Sequence, residues 1–254
     1  LTGNPQNMII GIASGISYTE FALALIPIAL VGLAVIWLVL VWMFPYDFRR
    51  EPFEIPFVEV QGNVTRPLLT KTLLITTGLL IAFLAGVPIS LAAFLAASML
   101  LITRRHQPQT IFAEFDWSLL VFFSALFIVS GSLETSSVTS HLVNITELSK
   151  NIGVWDLSLI TAGLSNIVSN VPAVLLLKPL VAGMPDAQLG WLTLASASTL
   201  AGNFTLLGSV ANLIVAETAS RYRVDLSFWQ YTKPGMIITL VTLALNIGWL
   251  YLIG

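Results

Sequence analysis

Two serine–asparagine pairs interrupt an apolar segment in the C-terminal half of the chain. They are Ser165-Asn166 and Ser169-Asn170, and Val171-Pro172 follows directly. The four-residue spacing predicts that both pairs lie on one helical face, and Pro172 is expected to end the helical hydrogen-bond ladder there. Freed carbonyls, hydroxyls and amide oxygens suit a hard cation such as sodium, and helix N-terminal amides favour an anionic group. We therefore expect an ion- or substrate-binding site at Ser169, Asn170, Val171 and Pro172.

The alternative is that these polar side chains only join helices by hydrogen bonds inside a membrane. That role is as good an interpretation for Ser165 and Asn166, which we assign to support of the hairpin.

A second polar stretch lies within the apolar segment 190–217. Gly202 and Gly208 bracket a run of hydroxyl and amide side chains there. A helix break at this place would be tolerated in a membrane only if it is buried or lines a cavity. We expect two half-helices with an unwound middle. Helix packing could explain the serines at 195–199, but it does not easily explain Asn203 and Asn212 with two glycines.

The pattern Gly-x-x-x-Asn followed by three aliphatic residues occurs twice, at 3–10 and 208–215. Each copy is followed by Phe-x5-Pro, at 21–27 and 228–234, and a long apolar run. A repeated helix-breaking polar motif indicates a secondary transporter built from two repeats, although chance recurrence in an apolar chain is the alternative. The first copy adds Asn4 and Asn7 to the candidate binding residues.

The composition is that of a membrane protein: 56% of the 254 residues are hydrophobic, 9% are charged, and mean hydropathy is +0.89. Cysteine is absent, which excludes disulfides and thiolate metal sites. No nucleophile with a base, paired aspartates or His-Glu-x-x-His motif lies in an apolar segment, so an enzyme is not expected.

Nine of the eleven lysines and arginines fall in three polar loops, 45–71, 104–116 and 218–234. The positive-inside rule places all three loops in the cytoplasm. This requires 72–103 to be two short spans that meet near Gly86-Val87-Pro88, and 156–181 to be a re-entrant hairpin. The remaining predicted spans are 21–44, 117–133, 190–217 and 235–254.

The predicted fold is an all-α membrane protein of the inverted-repeat transporter type. Span 21–44 runs outside to inside and its counterpart 235–254 runs inside to outside. Residues 1–44 would end the first repeat, 45–71 would be a cytoplasmic loop, and 72–254 would form a complete second repeat. The first repeat would then be truncated, and we expect the chain to be the C-terminal part of a permease that does not transport alone.

Three segments together resemble the ion transporter superfamily: GNPQN at 3–7, SNIVSNVPA at 165–173 and AGNFTLLGSVANLIVAE at 201–217. That group holds arsenite permeases, NhaD-type sodium/proton antiporters, citrate-transporter-like permeases and divalent-anion symporters. The resemblance implies that Ser169, Asn170 and Val171 form a hairpin tip facing a broken helix that contains Gly208, Ser209 and Asn212. It also implies binding groups at Asn203 and Thr205 just before that helix, with Gly202 in support. The divalent-anion symporters usually have Ser-Asn-Thr at this tip, and Val171 removes one hydroxyl, which argues against dicarboxylate coordination. The Ser-Asn-Val-Pro and Gly-Asn-Pro-Gln-Asn forms are more similar to the arsenite-permease and uncharacterised anion-permease branches.

The expected function is secondary active transport of a small anion or oxyanion by alternating access. The alternatives are a sodium/proton antiporter and a sodium-coupled di- or tricarboxylate symporter. Sodium is the one cofactor considered, at Ser169, Asn170, Gly208 and Asn212. The expected partners are the lipid bilayer, the anion and a second copy of the complete protein, without nucleic acid, in a prokaryotic inner membrane.

Overall fold

The computed structural model describes residues 1–49, 66–102, 150–221 and 224–254, with scattered residues between 117 and 132. The predicted span 117–133 lies largely outside these residues, as do most of the loops 45–71, 104–116 and 134–155. In the described part, ten α-helices and one 3-10 helix are present and no strand, which confirms the all-α class. The α-helices are α1 Pro5–Ser14, α2 Tyr18–Met43, α3 Pro45–Arg49, α4 Arg66–Leu84, α5 Ile89–Leu101, α6 Val154–Val168, α7 Asn170–Ala182, α8 Ala187–Ala201, α9 Val210–Arg221 and α10 Phe228–Ile253, and the 3-10 helix is Leu206–Gly208.

Three of the described helices, α2, α4 and α10, are long and apolar enough to cross a membrane. Helices α2 and α10 each have 26 residues, about 39 Å at 1.5 Å per residue. Both begin with a capping box, Ser17 with Glu20 and Ser227 with Gln230. Such a box satisfies orphan backbone N–H groups at a helix start, which fixes where each long helix begins.

The long helices pack antiparallel to one another. Trp249 Nε1 donates to the Ala24 carbonyl at 2.8 Å, which places the end of α10 beside the start of α2. The Tyr18 and Phe83 rings, 5.4 Å apart, place the start of α2 beside the end of α4. The helix ends that adjoin the three basic loops therefore lie together, at what we call the basic end.

Helix α5 turns back along α4 after Gly86, which has a φ of 79°. Lys71 Nζ of α4 donates to the Ile102 carbonyl just past the end of α5, at 3.0 Å. A lysine near the end of an apolar helix can reach polar partners with its head while its stem stays in apolar surroundings. Lys71 therefore lies within α4, which begins at Arg66 in the segment that the sequence predicted as loop.

The basic loop 218–234 is also shorter than predicted. Helix α9 continues to Arg221 and α10 begins at Phe228, so only 222–227 of the predicted loop 218–234 lie between helices. The Ser227 cap starts α10 seven residues before the predicted span, and polar residues of its first turns made this part resemble a loop.

Helices α6 and α7 form a hairpin whose base is opposite the basic end. A Cβ on Gly153, just before α6, would lie 3.8 Å from the Tyr251 hydroxyl near the end of α10. Helix α8 returns from the same end, since a Cβ on Gly254 would contact Leu189. With 15 and 13 residues, α6 and α7 are about 22 and 20 Å long, too short to cross about 30 Å of hydrocarbon.

Candidate ion- and anion-binding site

The hairpin turns at Ser169, which has φ 74° and ψ 162°. It is the one non-glycine residue with positive φ in the described part of the chain. The prediction that both Ser-Asn pairs share one helical face is wrong, because Asn166 lies in α6 and Asn170 begins α7. The ladder of α6 already ends at Val168, and Pro172 lies in the first turn of α7, where its missing N–H is not needed.

The apolar segment 190–217 is not one continuous helix, and its break lies at the glycines and asparagines that predicted it. Helix α8 ends at Ala201, an irregular turn and the 3-10 helix follow, and α9 begins at Val210. This break lies beside the hairpin tip. Side-chain amides fill the space between the two elements.

Asn166 joins the hairpin arm to the end of α8. Its Nδ2 donates to the carbonyls of Ala162 and Ala201, both at 3.0 Å. Its Oδ1 accepts from the Thr205 hydroxyl at 3.2 Å. A residue assigned from sequence to hairpin support thus also contacts the unwound segment.

Asn170 joins the hairpin tip to both sides of the break. With its amide oriented so that Nδ2 faces the carbonyls, it donates to Ser198 O at 3.0 Å and to Gly208 O at 3.2 Å. The side chain is only 5% exposed. A buried amide with two good acceptors fixes the position of the tip against the broken helix.

Asn212 closes the break from its far side. Its Nδ2 donates to Gly202 O at 2.8 Å and to Thr205 O at 3.3 Å. Gly202 O, Ser198 O and Gly208 O lie at the break, and the asparagine amides supply their hydrogen-bond donors.

Gly202 and Gly208 allow the close approach. A Cβ on Gly208 would lie 2.8 Å from Asn166 Oδ1, and one on Gly202 would lie 3.1 Å from the Asn170 amide. A side chain at either position would have to displace an asparagine amide, so the hairpin tip and the break form a tightly packed cradle.

Two oxygen groups at the cradle remain open within the described part of the chain. The Ser169 hydroxyl makes no cap hydrogen bond, and the Asn212 amide uses only its nitrogen in the contacts above. Carbonyl oxygens that accept one hydrogen bond also keep a second lone pair. The open groups are thus neutral oxygens, the ligand type that hard cations prefer.

Other predicted residues have different surroundings. Val171 is 7% exposed and belongs to the apolar core. The Ser209 hydroxyl accepts from Ala211 N at 3.3 Å, a local cap of α9. Asn203 lines a cavity of about 280 Å³ between α2 and α10, and a Cβ on Gly235 of α10 would collide with its carbonyl oxygen. Gly235 was missed because its role depends on a close approach of two distant segments.

Asn4 is the N-cap residue of α1, and Asn7 lies in the first turn of that helix. Helix α1 packs against α7 and α8. Asn7 Oδ1 is buried without a partner in the described part of the chain, and Asn4 makes no side-chain cap. Contact with α8 comes instead from Gln6, which is 1% exposed and donates to Thr199 Oγ1 at 3.5 Å. Sequence inspection missed Gln6, although it stands between Pro5 and Asn7 in the repeated motif.

Comparison with known proteins supplies the family. The family model described as citrate transporter matches residues 1–201, up to the last residue of α8. The chain belongs to the citrate transporter family. This confirms the resemblance to the ion transporter superfamily that the three motifs indicated.

Individual relatives are also named as transporters or membrane proteins. The chain is 30% identical to an uncharacterized transporter of Mycobacterium tuberculosis, over 99% of this chain and 63% of the relative. It is 29% identical to a 46 kDa membrane protein of Mycobacterium leprae, over 96% of this chain and 62% of the relative. It is 37% identical to the silicon efflux transporter LSI3 of Oryza sativa subsp. japonica, over 68% of this chain and 38% of the relative.

The chain thus spans less than two thirds of the length of these relatives. No solved structure matches it.

Proposed function

We propose that this chain supplies the hairpin and broken helix that bind ion and substrate in a secondary active transporter of a small anion or oxyanion. The supporting observation is the cradle, in which Asn166, Asn170 and Asn212 hold a helix break open against a hairpin tip. Irregular backbone at membrane depth is typical of transporter binding sites. Alternating access would then move this cradle relative to α2 and α10.

The proposal includes an inverted repeat, supported by matching local structure. In both copies of the repeated motif, glycine lies two residues before a helix and asparagine is its third residue: Gly3 and Asn7 at α1, Gly208 and Asn212 at α9. The following helices, α2 and α10, have equal length and the same type of cap, and they run antiparallel. Opposed direction is what inversion through the membrane plane requires.

The polar groups of the cradle suit a cation and an anion together. Oxygens of Ser169, Asn170, Asn212 and the Gly208 carbonyl would hold sodium. The free amides at the start of α7 would face the anion, since helix N-termini attract negative charge. A bound cation beside them would strengthen that attraction.

Carboxylate transport is the second candidate, favoured by the description of the family as citrate transporters. Val171 lacks the hydroxyl of the Ser-Asn-Thr tip in the sodium-coupled symporters, which favours a smaller oxyanion. The silicon efflux transporter among the relatives agrees with a small substrate. A sodium/proton antiporter has no comparable support from the described residues.

We place the protein in a prokaryotic inner membrane with the basic end in the cytoplasm. The mycobacterial relatives and the common location of the basic helix ends support this placement.

The test is uptake by the full-length protein in proteoliposomes, with citrate, arsenite and silicate offered under an inward sodium gradient. We expect one of these to accumulate, and Asn170→Ala to reduce its uptake at least tenfold. Ile167→Ala, on the same hairpin but 80% exposed, is the matched control and should keep full activity. Full activity of Asn170→Ala would contradict the site assignment.

A further inference from the structure

A cavity of about 280 Å³ lies between α2, α10 and the helix break, outside the proposed site. Phe44 and Leu226 line it at the basic end, and Ile36 and Ile238 line its inner end. Residues 36–44 span about 12 Å along the axis of α2. Phe44 and Leu226 are each 38% exposed, whereas Ile238 is 6% exposed, so the cavity opens toward the basic end.

The helix break reaches this cavity through Asn203. This residue lines the cavity and directly follows Gly202, whose carbonyl accepts a hydrogen bond from Asn212 in the cradle. The Asn203 carbonyl lies against α10, where a Cβ on Gly235 would collide with it. Gly235 lies about 10 Å along α10 from the first residue of that helix. The cavity therefore connects the basic end with the break inside the membrane-spanning part of α10.

The cavity is lined by polar groups that lack their usual partners in the described part of the chain. Neither the Asn203 amide nor the Tyr231 hydroxyl makes a hydrogen bond to a described residue. Pro234 has no N–H to donate to the Gln230 carbonyl, and both of these residues line the cavity. Asn203 thus differs from the three cradle asparagines, whose amides donate to backbone carbonyls.

Water satisfies these groups, and a lipid tail cannot. One water takes up roughly 30 Å³, so the cavity has room for several. Buried water needs two to four polar partners, and the Asn203 amide, the Tyr231 hydroxyl and the Gln230 carbonyl supply them. A membrane helix tolerates an internal proline when water or a neighbouring group satisfies the freed carbonyl.

We propose that this cavity is a water-filled inlet through which the transported ion or small substrate passes between the basic end and the cradle. The residues that line it are uncharged. Such walls hold an ion weakly, as a path must, since tight binding would stop the ion from leaving. The water does not depend on the proposed function, whereas its use as a path rests on that function.

Thiol reactivity tests the water, because charged methanethiosulfonate reagents react with thiolates, which form in water and not in lipid. The full-length protein is used in lipid nanodiscs, with any other cysteine replaced by serine. Ile36→Cys places a thiol at the inner end of the inlet. Leu38→Cys is the matched control, since Leu38 is 57% exposed, lies nearer the basic end of α2 and does not line the cavity.

We expect Ile36→Cys to react at least tenfold faster than Leu38→Cys. Equal rates in the two variants would overturn the proposal. Leu40→Cys, which also lines the inlet, replaces Ile36→Cys if that variant does not fold. Asn203→Leu in the reactive variant removes one partner of the water and should slow the reaction several-fold, and an unchanged rate would contradict the role of the amide.

Uptake tests the use of the inlet as a path. Leu40→Trp places an indole in the inlet and should lower the maximal uptake rate several-fold, whereas Leu38→Trp should leave it unchanged. Thiol reactivity needs no transport activity, so failure of the inlet and failure of the proposed function are separate results. Fast reaction of Ile36→Cys together with full uptake by Leu40→Trp would overturn the path.

Discussion

A primary amide can donate two hydrogen bonds, and the three asparagines of the cradle each direct both toward backbone carbonyls. Two of them, Asn166 and Asn170, connect separate elements, whereas Asn212 connects the two sides of the break. Sequence could identify these residues, since an amide in an apolar segment needs a partner. It could not assign the carbonyls, because Ser198 and Ala201 become acceptors only through packing of distant segments.

Substitution of a cradle glycine by alanine should disturb the contact between the hairpin tip and the break. In Gly208→Ala, the new Cβ would lie 2.8 Å from Asn166 Oδ1 and 3.2 Å from the Gly202 carbonyl oxygen. Overpacking of this kind costs about 1–3 kcal/mol. We expect uptake to fall at least tenfold and the thermal unfolding midpoint to drop.

The matched control is Gly163→Ala on α6, where a Cβ meets nothing within 4 Å. It should leave uptake unchanged and the unfolding midpoint unchanged or slightly higher, since alanine favours helix over glycine. Wild-type uptake by Gly208→Ala would show that the close approach is not needed.

The two helix breaks differ in how far sequence could locate them. The break in the second helix lies between the glycines and asparagines that predicted it, because those residue types weaken helix locally. The hairpin turn lies at Ser169, three residues before the proline that was expected to cause it. A serine with positive φ is held in that conformation by the structure around it, so the residue type does not predict the position of the turn.

A substitution at Gly235 tests the packing of the helix break against α10. A Cβ there would collide with the carbonyl oxygen of Asn203 and lie 2.9 Å from that of Phe204. Backbone atoms cannot rotate away as a side chain can, so Gly235→Ala should cost about 3 kcal/mol, near the upper range of overpacking. We expect a lower unfolding midpoint and loss of uptake together.

Gly248→Ala is the control on the same helix, since a Cβ there meets nothing within 4 Å. Both variants add one methyl group to α10, so a difference between them reports contact with the break. Equal midpoints for the two variants would contradict this packing.

For the whole molecule, charge distribution and helix packing agree on one arrangement. The sequence placed the basic loops on one side of the membrane, and the helix ends beside those loops lie together in the structure. The hairpin base and the turn at Gly86 lie at the opposite end. The positive-inside rule predicts that these helix ends share one side because it depends on the charges of whole loops, and it cannot predict the contacts between the helices.

Single-cysteine labelling of the full-length protein checks this topology: this chain has no cysteine, and any cysteine outside it is replaced by serine. A membrane-impermeant maleimide applied to intact cells should label Val87→Cys and Pro185→Cys. Ser227→Cys should label only after permeabilisation. Labelling of all three in intact cells, or of Ser227→Cys alone, would contradict the placement of the basic end in the cytoplasm.

Ligand-dependent thermal unfolding of the full-length protein tests the cradle most directly. Wild type and Asn170→Ala are compared in sodium or choline at equal ionic strength, with and without the anion that the proteoliposomes accumulate. A ligand that binds only the folded state stabilises it by about 2.7 kcal/mol at a hundredfold excess over Kd. We predict that sodium with the anion raises the wild-type midpoint above its own choline baseline, and that Asn170→Ala shows no such rise. An equal rise in both proteins would place the binding site elsewhere in the molecule.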